Sequence, residues 1–326
     1  MERETLDAKA AAIRAAAEQR RDEKRASADS ARAHTATAAA AAAADADADA
    51  DADAIAPPGP LLMMMEARAP WEYAALWAAT PWLASLPSGD GHPVIVFPGL
   101  GATDLTTLTL RNFLRNRGYT PYAWKQGFNF GPRHGVLESC QAQVRDIAGR
   151  HGEKVSLIGW SLGGIYAREV AKAQPAEARC VITLGTPFSG PPKATNAWRF
   201  YELVSGQSAQ DHALSRQVRQ APRCPTTSIY SKTDGVVAWQ CSLNDEAAHT
   251  ENIEVSASHM GMGMNPLALY AIADRLAQNP KAWNRFDVRG GRRWFYRLPG
   301  PWPMPQKNTD QPPPSKNANQ RQRHQY

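Results

Sequence analysis

The sequence predicts a three-layer α/β domain, in which a mostly parallel β-sheet of about six strands is covered by helices on both faces. Short runs rich in β-branched residues alternate with longer runs of helical periodicity. Strands separated by helices of about 10 to 15 residues are typical of βαβ units and of a parallel sheet. The chain has 326 residues and is 43% hydrophobic, which is enough for one large domain.

The predicted elements follow one another from residue 92 to residue 279. The strand runs are short and rich in β-branched residues, and each ends near a glycine, proline or small polar residue, whereas the helix runs are longer and have helical spacing. The strand runs are HPVIVFPG (92–99), TPYAW (120–124), KVSLIGW (154–160), ARCVITLGTPF (178–188), TTSIYSKTDG (226–235) and NIEVSAS (252–258). The helix runs are LTLRNFLRNRGY (108–119), LESCQAQVRDIAGRHG (137–152), LGGIYAREVAKAQP (162–175) and PLALYAIADRLAQN (266–279).

The two ends of the chain differ from this central region. Residues 1–60 include the low-complexity tract TATAAAAAAADADADADADA, which has no large apolar side chain to bury and is expected to be disordered. Residues 301–326 are rich in proline and then in basic residues, and they are predicted to form a disordered tail. The folded domain is therefore predicted to span residues 66–300. A start of translation at residue 63, 64 or 65, each a methionine, is an alternative.

Charge and cysteine content exclude several classes of protein. Of the net charge of +6, residues 281–326 carry +8 and residues 1–54 carry −4, which leaves the centre near neutral and does not indicate a nucleic-acid partner. The four cysteines show no C-x-x-C spacing, so neither a zinc site nor a disulfide scaffold is predicted. We found neither a transmembrane run nor a signal-peptide pattern, which favours a cytoplasmic location.

A G-x-S-x-G motif spans Gly159 to Gly163 and places Ser161 between an apolar strand and a helix. A serine on such a turn is strained and exposed, and the glycines on either side leave room for it. The following helix directs its free N–H groups and the positive end of its dipole towards the serine oxygen. Ser161 is therefore the predicted nucleophile, with Gly159 and Gly163 as the glycines of the turn.

A serine nucleophile needs a base and an acid that orients the base, and in this architecture they follow in the order Ser, Asp or Glu, His. His259 directly follows the last predicted strand and is the candidate base. Asp234 follows the preceding strand and is the candidate acid. Both positions lie at the edge of a sheet where strands end and ligands bind. The rival residues lie in connecting segments or do not follow strands: His212, His249, Asp211, Asp245 and Glu246.

The oxyanion formed in acyl transfer needs N–H donors that are already in place. The backbone N–H of Leu162, next to the nucleophile, is one candidate. The other is the N–H of Leu100 in the turn FPGLGATD after the first strand, where Gly99 and Gly101 allow a close approach of the backbone.

From about His92 to Leu276 the chain resembles the α/β-hydrolase superfamily, and within it the small bacterial lipases and esterases with a minimal six-stranded sheet. It is also similar to uncharacterised bacterial hydrolases with GWSLGG and GPPKATNAW-like segments. The resemblance implies a triad of Ser161, Asp234 and His259 with the N–H groups of Leu100 and Leu162 as oxyanion donors. The matching segments, in the order of the family, are PVIVFPGLG, KVSLIGWSLGG, VITLGTPFSG, TTSIYSKTDGVV and NIEVSASHMGMG.

Two departures from this family pattern bear on the site. The small lipases usually have histidine where this chain has Pro98. The link at residues 187–221 is longer than in those lipases, with 35 residues. Within it an apolar stripe at helical spacing indicates either a lid over an acyl pocket or a helix packed on the core. The stripe consists of Ala197, Phe200, Tyr201 and Val204.

These observations predict a carboxylic ester hydrolase that acts on a small-molecule or lipid ester without a cofactor or a metal ion. An acyltransferase with the same triad is an alternative, because transfer and hydrolysis differ in water exclusion and acceptor binding. A non-catalytic binding protein with this fold is a second alternative, which the three intact triad positions disfavour.

Overall fold

The computed structural model describes residues 55–205 and 217–297. Six strands form one sheet in the order β2-β1-β3-β4-β5-β6, and every neighbouring pair is parallel. The predicted fold class is thereby confirmed. The strands are β1 (Pro93–Phe97), β2 (Thr120–Ala123), β3 (Val155–Trp160), β4 (Ala178–Leu184), β5 (Thr226–Tyr230) and β6 (Thr250–Glu254).

The helices that connect and cover these strands begin and end close to the predicted positions. The structure adds two helices before the first strand, α1 and α2, which the sequence patterns did not predict. The helices are α1 (Pro60–Met65), α2 (Ala69–Ala84), α3 (Leu108–Asn116), α4 (Val136–His151), α5 (Leu162–Ala173), α6 (Trp198–Ser205) and α7 (Pro266–Leu276). A short 3₁₀ turn, Glu66–Arg68, joins α1 to α2.

Three layers arise because alternate side chains of each strand enter opposite cores. In β1, Val94 and Val96 pack into a core that includes residues of α2, α3 and α7. Ile95 and Phe97 pack into a second core with residues of α4 and α5. All four side chains are fully buried. Burial on both faces explains why the central strands β1, β3 and β4 are nearly continuous apolar runs rather than alternating ones.

Among the described residues, contacts with the domain extend back to Ile55, which precedes the predicted boundary at residue 66. Ile55 packs against a small apolar cluster on the 3₁₀ and loop segments after β4 and β5. The carbonyl oxygen of Pro58 accepts a hydrogen bond of 3.0 Å from Asn196 Nδ2. Of the predicted disordered ends, residues 1–54 and 301–326 lie outside the described residues.

Candidate active site

Ser161 lies on the tight turn between β3 and α5. Its φ of 53° and ψ of −127° belong to a region that non-glycine residues rarely occupy. Within residues 55–205 and 217–297, Lys125 is the one other non-glycine residue with a positive φ. Such a backbone costs about 1–3 kcal/mol and persists only where its surroundings enforce it. Ser161 stays half-exposed on this turn although both of its chain neighbours are buried.

Glycines let the turn pack against the strands more closely than any other residue could. A Cβ atom at Gly159 would overlap the backbone of Gly163 and Gly164, and one at Gly163 would overlap the carbonyl oxygen of Phe97. Gly164 has the same requirement, because a Cβ atom there would overlap the hydroxyl of Thr186. These approaches fix the N-terminus of α5 beside the carboxyl ends of β1 and β4.

The candidate base and acid are in direct contact. Nδ1 of His259 lies 2.7 Å from Oδ2 of Asp234, and both residues are almost completely buried. The other carboxylate oxygen, Oδ1 of Asp234, accepts hydrogen bonds of 2.8 Å from the N–H groups of Val236 and Val237. The carboxylate is therefore held from both sides, and it holds the imidazole ring in turn.

Burial and two carboxylates set the proton affinity of His259. Burial disfavours the charged imidazolium, but the charge of Asp234, its hydrogen bond and the charge of Glu66 favour it. Their balance raises the pKa of His259 above its ordinary value of 6.5. The ring is thus suited to act as a base, because its surroundings stabilise the imidazolium that forms when it accepts a proton.

The His–Asp pair and the serine turn meet on two sides of the end of β4. The N–H of Ser161 donates to the carbonyl oxygen of Leu184 over 2.8 Å. A Cβ atom on the next residue, Gly185, would lie 3.0 Å from His259 Nδ1 and from Asp234 Oδ2. In the described part of the chain no hydrogen bond joins Ser161 Oγ to the His259 ring. Such bonds often tighten only when substrate binds.

A buried tryptophan links the loop of His259 to the serine turn. Trp160, the residue before the nucleophile, donates from its indole Nε1 to the carbonyl oxygen of His259 over 3.0 Å. Gly263, in the same loop, lies so close that a Cβ atom there would be 2.9 Å from the indole ring. The position of the base loop is therefore set by a residue adjacent to Ser161.

The turn after β1 passes directly over the serine. A Cβ atom at Gly99 would lie 3.3 Å from the Cβ of Ser161, so the next residue, Leu100, is beside the nucleophile. Within residues 55–205 and 217–297, the backbone N–H groups of Leu100 and Leu162 have no hydrogen-bond acceptor. Two free donors near the serine are what a developing oxyanion requires.

Asn129, which the sequence analysis did not select, holds this turn in place. Its Nδ2 donates to the carbonyl oxygen of Pro98 over 2.7 Å, and its own carbonyl oxygen accepts from the N–H of Gly101 over 2.7 Å. Asn129 is fully buried. It therefore fixes the backbone on both sides of Leu100, at the place where Pro98 departs from the family pattern. The sequence gives no signal for it beyond a polar residue between two phenylalanines.

Glu66 is a second residue that the sequence analysis missed. Its carboxylate accepts hydrogen bonds from the backbone N–H groups of Gly235, His259 and Met260, with lengths of 2.7, 2.9 and 2.9 Å. A signal for it exists, because residues 60–84 contain only three charged residues among many apolar ones: Glu66, Arg68 and Glu72. Isolated charges in an apolar segment indicate buried polar contacts.

The rival residues lie elsewhere. The carbonyl oxygen of His249 accepts from the N–H of Thr226 at the start of β5, which is the opposite edge of the sheet from Ser161. Asp245 is paired with Arg219, and Glu246 is exposed and paired with Arg285. His212 and Asp211 lie outside the described residues.

A second Ser–His–Asp arrangement lies at the amino edge of the sheet. Nε2 of His92 is 2.8 Å from the hydroxyl of Ser156, and its Nδ1 contacts Asp90. Both His92 and Ser156 are completely buried, and burial, the largest effect, lowers the pKa of His92 despite the neighbouring carboxylate. Because Ser156 is completely buried at the start of the central strand β3, it cannot meet a substrate, so this cluster links β1 to β3 without forming a site.

The long link after β4 is described only in part. It contains α6, in which Tyr201 packs on the core formed with α4 and α5. Residues 206–216, which include much of the predicted lid, lie outside the described residues, as do the side chains of Phe200 and Val204. Whether residues 187–221 form a lid stays a prediction.

The described residues contain no group of three or more His, Cys, Asp or Glu side chains that could hold a metal ion. No helix in residues 55–205 and 217–297 is both long and apolar enough to span a membrane.

No family model matches the chain. Solved structures with similar folds include lipase B of Aspergillus fumigatus, which is 19% identical over 60% of this chain and 55% of that chain, with a TM-score of 0.46. A monoacylglycerol lipase of Paleococcus ferrophilus is 15% identical over 59% of this chain and 96% of that one, with a TM-score of 0.44. A Bacillus licheniformis lipase is 15% identical over 60% of this chain and 95% of that one, with a TM-score of 0.45. The chain spans about half the length of the Aspergillus lipase. These similarities are weak, and the α/β fold class of this chain rests on its own parallel sheet and the helices that cover it.

Proposed function

We propose that this protein is a serine hydrolase that cleaves carboxylic esters through a covalent acyl-enzyme. The observation that carries the proposal is a serine on a strained strand-to-helix turn beside a buried His–Asp pair. Ser161 is the nucleophile, His259 is the general base, and Asp234 holds the histidine in the correct tautomer. A small-molecule or lipid ester is the substrate class.

The first half-reaction forms the acyl-enzyme. Nε2 of His259 takes the proton of Ser161 Oγ while that oxygen bonds to the ester carbonyl carbon, and the carbonyl oxygen becomes an oxyanion. The N–H groups of Leu100 and Leu162 donate to the oxyanion, and losing one such donor typically costs about 10²–10³ in rate. The C–O bond to the alcohol then breaks, and the leaving oxygen receives the proton from His259.

The second half-reaction restores the enzyme. Water loses a proton to Nε2 of His259 and attacks the acyl carbon, and the new oxyanion is held by the same two N–H groups. When the bond to Ser161 Oγ breaks, His259 returns the proton to that oxygen and the acid is released. An alcohol that enters in place of water gives a new ester, which is the acyltransferase alternative.

The test is covalent labelling of the whole protein with a fluorophosphonate. We expect one adduct, placed on Ser161 by mass spectrometry, with a parallel loss of activity towards activated esters of several acyl lengths. Labelling that persists in Ser161→Ala would contradict the assignment, as would absence of both labelling and esterase activity in the folded protein.

The matched control is Ser156→Ala, which removes the buried serine of the second Ser–His–Asp arrangement. Because Ser156 is completely buried, its loss should leave the site of labelling unchanged. Adding an alcohol to the esterase assay separates the alternatives, since a hydrolase gives mainly the acid and an acyltransferase gives mainly the new ester.

A further inference from the structure

The segment that precedes the sheet reaches both loops of the candidate site. We call residues 60–84, which comprise α1, α2 and the turn between them, the N-terminal strap. Nη2 of Arg68 in the strap donates to the carbonyl oxygen of Thr233 over 2.8 Å and to its hydroxyl over 2.7 Å. Oε1 of Glu72 accepts from the N–H of Ser258 over 2.6 Å. The strap thus holds the residue before Asp234 and the residue before His259.

Glu66 lies between these two contacts and joins the loops through a single group. Its Oε1 accepts from the N–H of Gly235 over 2.7 Å and from the N–H of His259 over 2.9 Å. Its Oε2 accepts from the N–H of Met260 over 2.9 Å. One carboxylate oxygen therefore fixes the backbone of His259 relative to the backbone of Gly235, the residue after Asp234. Hydrogen bonds to an ionised acceptor are shorter and stronger than neutral ones.

The shapes of the loops fit the strap independently of these hydrogen bonds. A Cβ atom at Gly235 would overlap the carbonyl oxygen of Leu62, and a Cβ atom at Gly261 would overlap the carboxylate of Glu72. Each loop has a glycine at the point where the strap approaches it most closely. The strap therefore packs against a surface that both loops form.

We propose that Glu66 is a positioning residue for the reaction, because it holds the backbone N–H groups of Gly235 and His259 on one carboxylate oxygen. The inference rests on the proposed function of the His–Asp pair. The bond of 2.7 Å between His259 Nδ1 and Asp234 Oδ2 depends on the separation of two loops that follow different strands. A shift of about 1 Å between such groups can cost about 100-fold in rate.

The charge of Glu66 contributes a second effect. Besides Asp234, Glu66 is the carboxylate that acts to raise the pKa of His259. The other two charged residues of the strap, Arg68 and Glu72, are paired with each other over 3.1 Å. When His259 takes the serine proton, the negative charge of Glu66 stabilises the imidazolium that forms.

Two substitutions separate reach from charge. Glu66→Gln keeps the length of the side chain but loses the charge and one acceptor, whereas Glu66→Asp keeps the charge but is too short to reach both loops. We expect Glu66→Asp, which cannot hold both loops, to lower kcat about 10- to 100-fold and to change KM less than about threefold, while the pKa of His259 measured by NMR titration stays closer to that of the wild type. In Glu66→Gln the amide oxygen still accepts from the N–H groups of Gly235 and His259, so kcat should fall less than in Glu66→Asp, whereas the pKa of His259 should fall because the charge is lost.

The matched control is Glu246→Gln, the same chemical change at a side chain that is 85% exposed and paired with Arg285. It should leave kcat, KM and the pKa of His259 unchanged, since exposed ion pairs contribute little. Fluorophosphonate labelling of Ser161 should slow in step with kcat in both Glu66 variants.

The outcomes distinguish this inference from the proposed function. If Glu66→Asp keeps the rate of the wild type and Glu66→Gln keeps the His259 pKa of the wild type, while Ser161→Ala is inactive, the positioning role is wrong and the hydrolase stands. A Glu66→Gln protein that has lost its folded circular dichroism spectrum would assign Glu66 to stability alone and also overturn the inference. If the wild type neither labels nor cleaves esters, the hydrolase is wrong. The NMR titration then tests whether Glu66 controls the histidine, and an unchanged pKa would remove that role too.

Discussion

The backbone of Ser161 and the charge balance at His259 are the two residue-scale features that distinguish this site from an ordinary turn. A positive φ at a serine is maintained here by glycines that admit no side chain and by a hydrogen bond to the end of β4. Backbone strain of this kind clusters at functional sites because selection keeps it only where it is used. In the second set, formed by Ser156, His92 and Asp90, the serine and the histidine are completely buried and the serine backbone is not strained.

The pH dependence of activity follows from the raised pKa of His259. The neutral imidazole is the base, so kcat/KM should rise with pH through a midpoint above 6.5. Asp234 contributes most to that increase, so Asp234→Asn should lower the midpoint and reduce kcat roughly 10⁴-fold by analogy with serine proteases. The measurement is the pH profile of kcat/KM for each protein.

The same pKa shift bears on stability with a defined sign. Because the folded-state pKa of His259 is raised, its protonated form stabilises the fold below about pH 6.5, and this contribution is lost as the pH rises through the folded-state pKa. His249→Gln is the control, since His249 lies at the opposite edge of the sheet. In the pH profile of kcat/KM, a midpoint below 6.5 in the wild type would assign the base elsewhere. A midpoint of that profile that moves in His249→Gln would do the same.

At this scale, order and spacing in the sequence selected the pair that the structure brings into contact. Asp234 and His259 each directly follow a strand, and parallel strands end at one edge of the sheet. Asn129 and Glu66 were not predictable in this way. Glu66 contacts residues 169 and 193 positions further along the chain, and no periodicity or motif connects such distant positions.

At the scale of elements, burial explains both what was predicted and what was missed. The central strands β1, β3 and β4 are apolar runs because both of their faces are covered, and the helices α3, α4, α5 and α7 are periodic because one face is covered. The helix α2 was not predicted because its apolar residues show no preferred side. Trp71 and Trp77 are exposed, while Leu83 of the same helix is buried.

Two glycines in helices should respond oppositely to the same substitution. Gly163→Ala places a Cβ atom on the carbonyl oxygen of Phe97, so α5 must shift, and we expect a loss of about 1–3 kcal/mol or more in the free energy of unfolding. Esterase activity should fall sharply because the N–H of Leu162 moves with the helix.

The matched control is Gly149→Ala in α4, where a Cβ atom would have no neighbour within 4 Å. Alanine favours a helix over glycine by about 0.5–1 kcal/mol, so this variant should be slightly more stable and fully active. Denaturant unfolding measures the free energy of unfolding of each variant, and an esterase assay measures its activity. A Gly163→Ala protein as stable and active as Gly149→Ala would show that the serine turn tolerates a side chain.

At the scale of the whole molecule, the domain includes more of the N-terminal region than composition indicated. The predicted disorder of residues 1–60 rested on a low-complexity tract without large apolar side chains, and the folded domain was predicted to begin at residue 66. Ile55 and Pro58 nevertheless contact the segments after β4 and β5. Short contacts of this kind involve one or two residues and leave no pattern that a reading of composition could detect.

Shortened chains test how much of this region the enzyme uses. A chain that begins at Ile55 keeps every contact described above, so its melting temperature and esterase rate should match those of the full chain.

A chain that begins at Met65 keeps Glu66, Arg68 and Glu72 but loses α1 and the packing of Ile55. Burial of one such side chain contributes about 1.5–3 kcal/mol when complete, and Ile55 is only half-buried. We therefore expect a melting temperature lower by about 2–6 °C and a rate within about tenfold of the full chain. A loss of activity already at Ile55 would mean that residues 1–54 contribute to the site. Full stability and activity in a chain that begins at Leu86, without the N-terminal strap, would show that neither the strap nor Glu66 is needed.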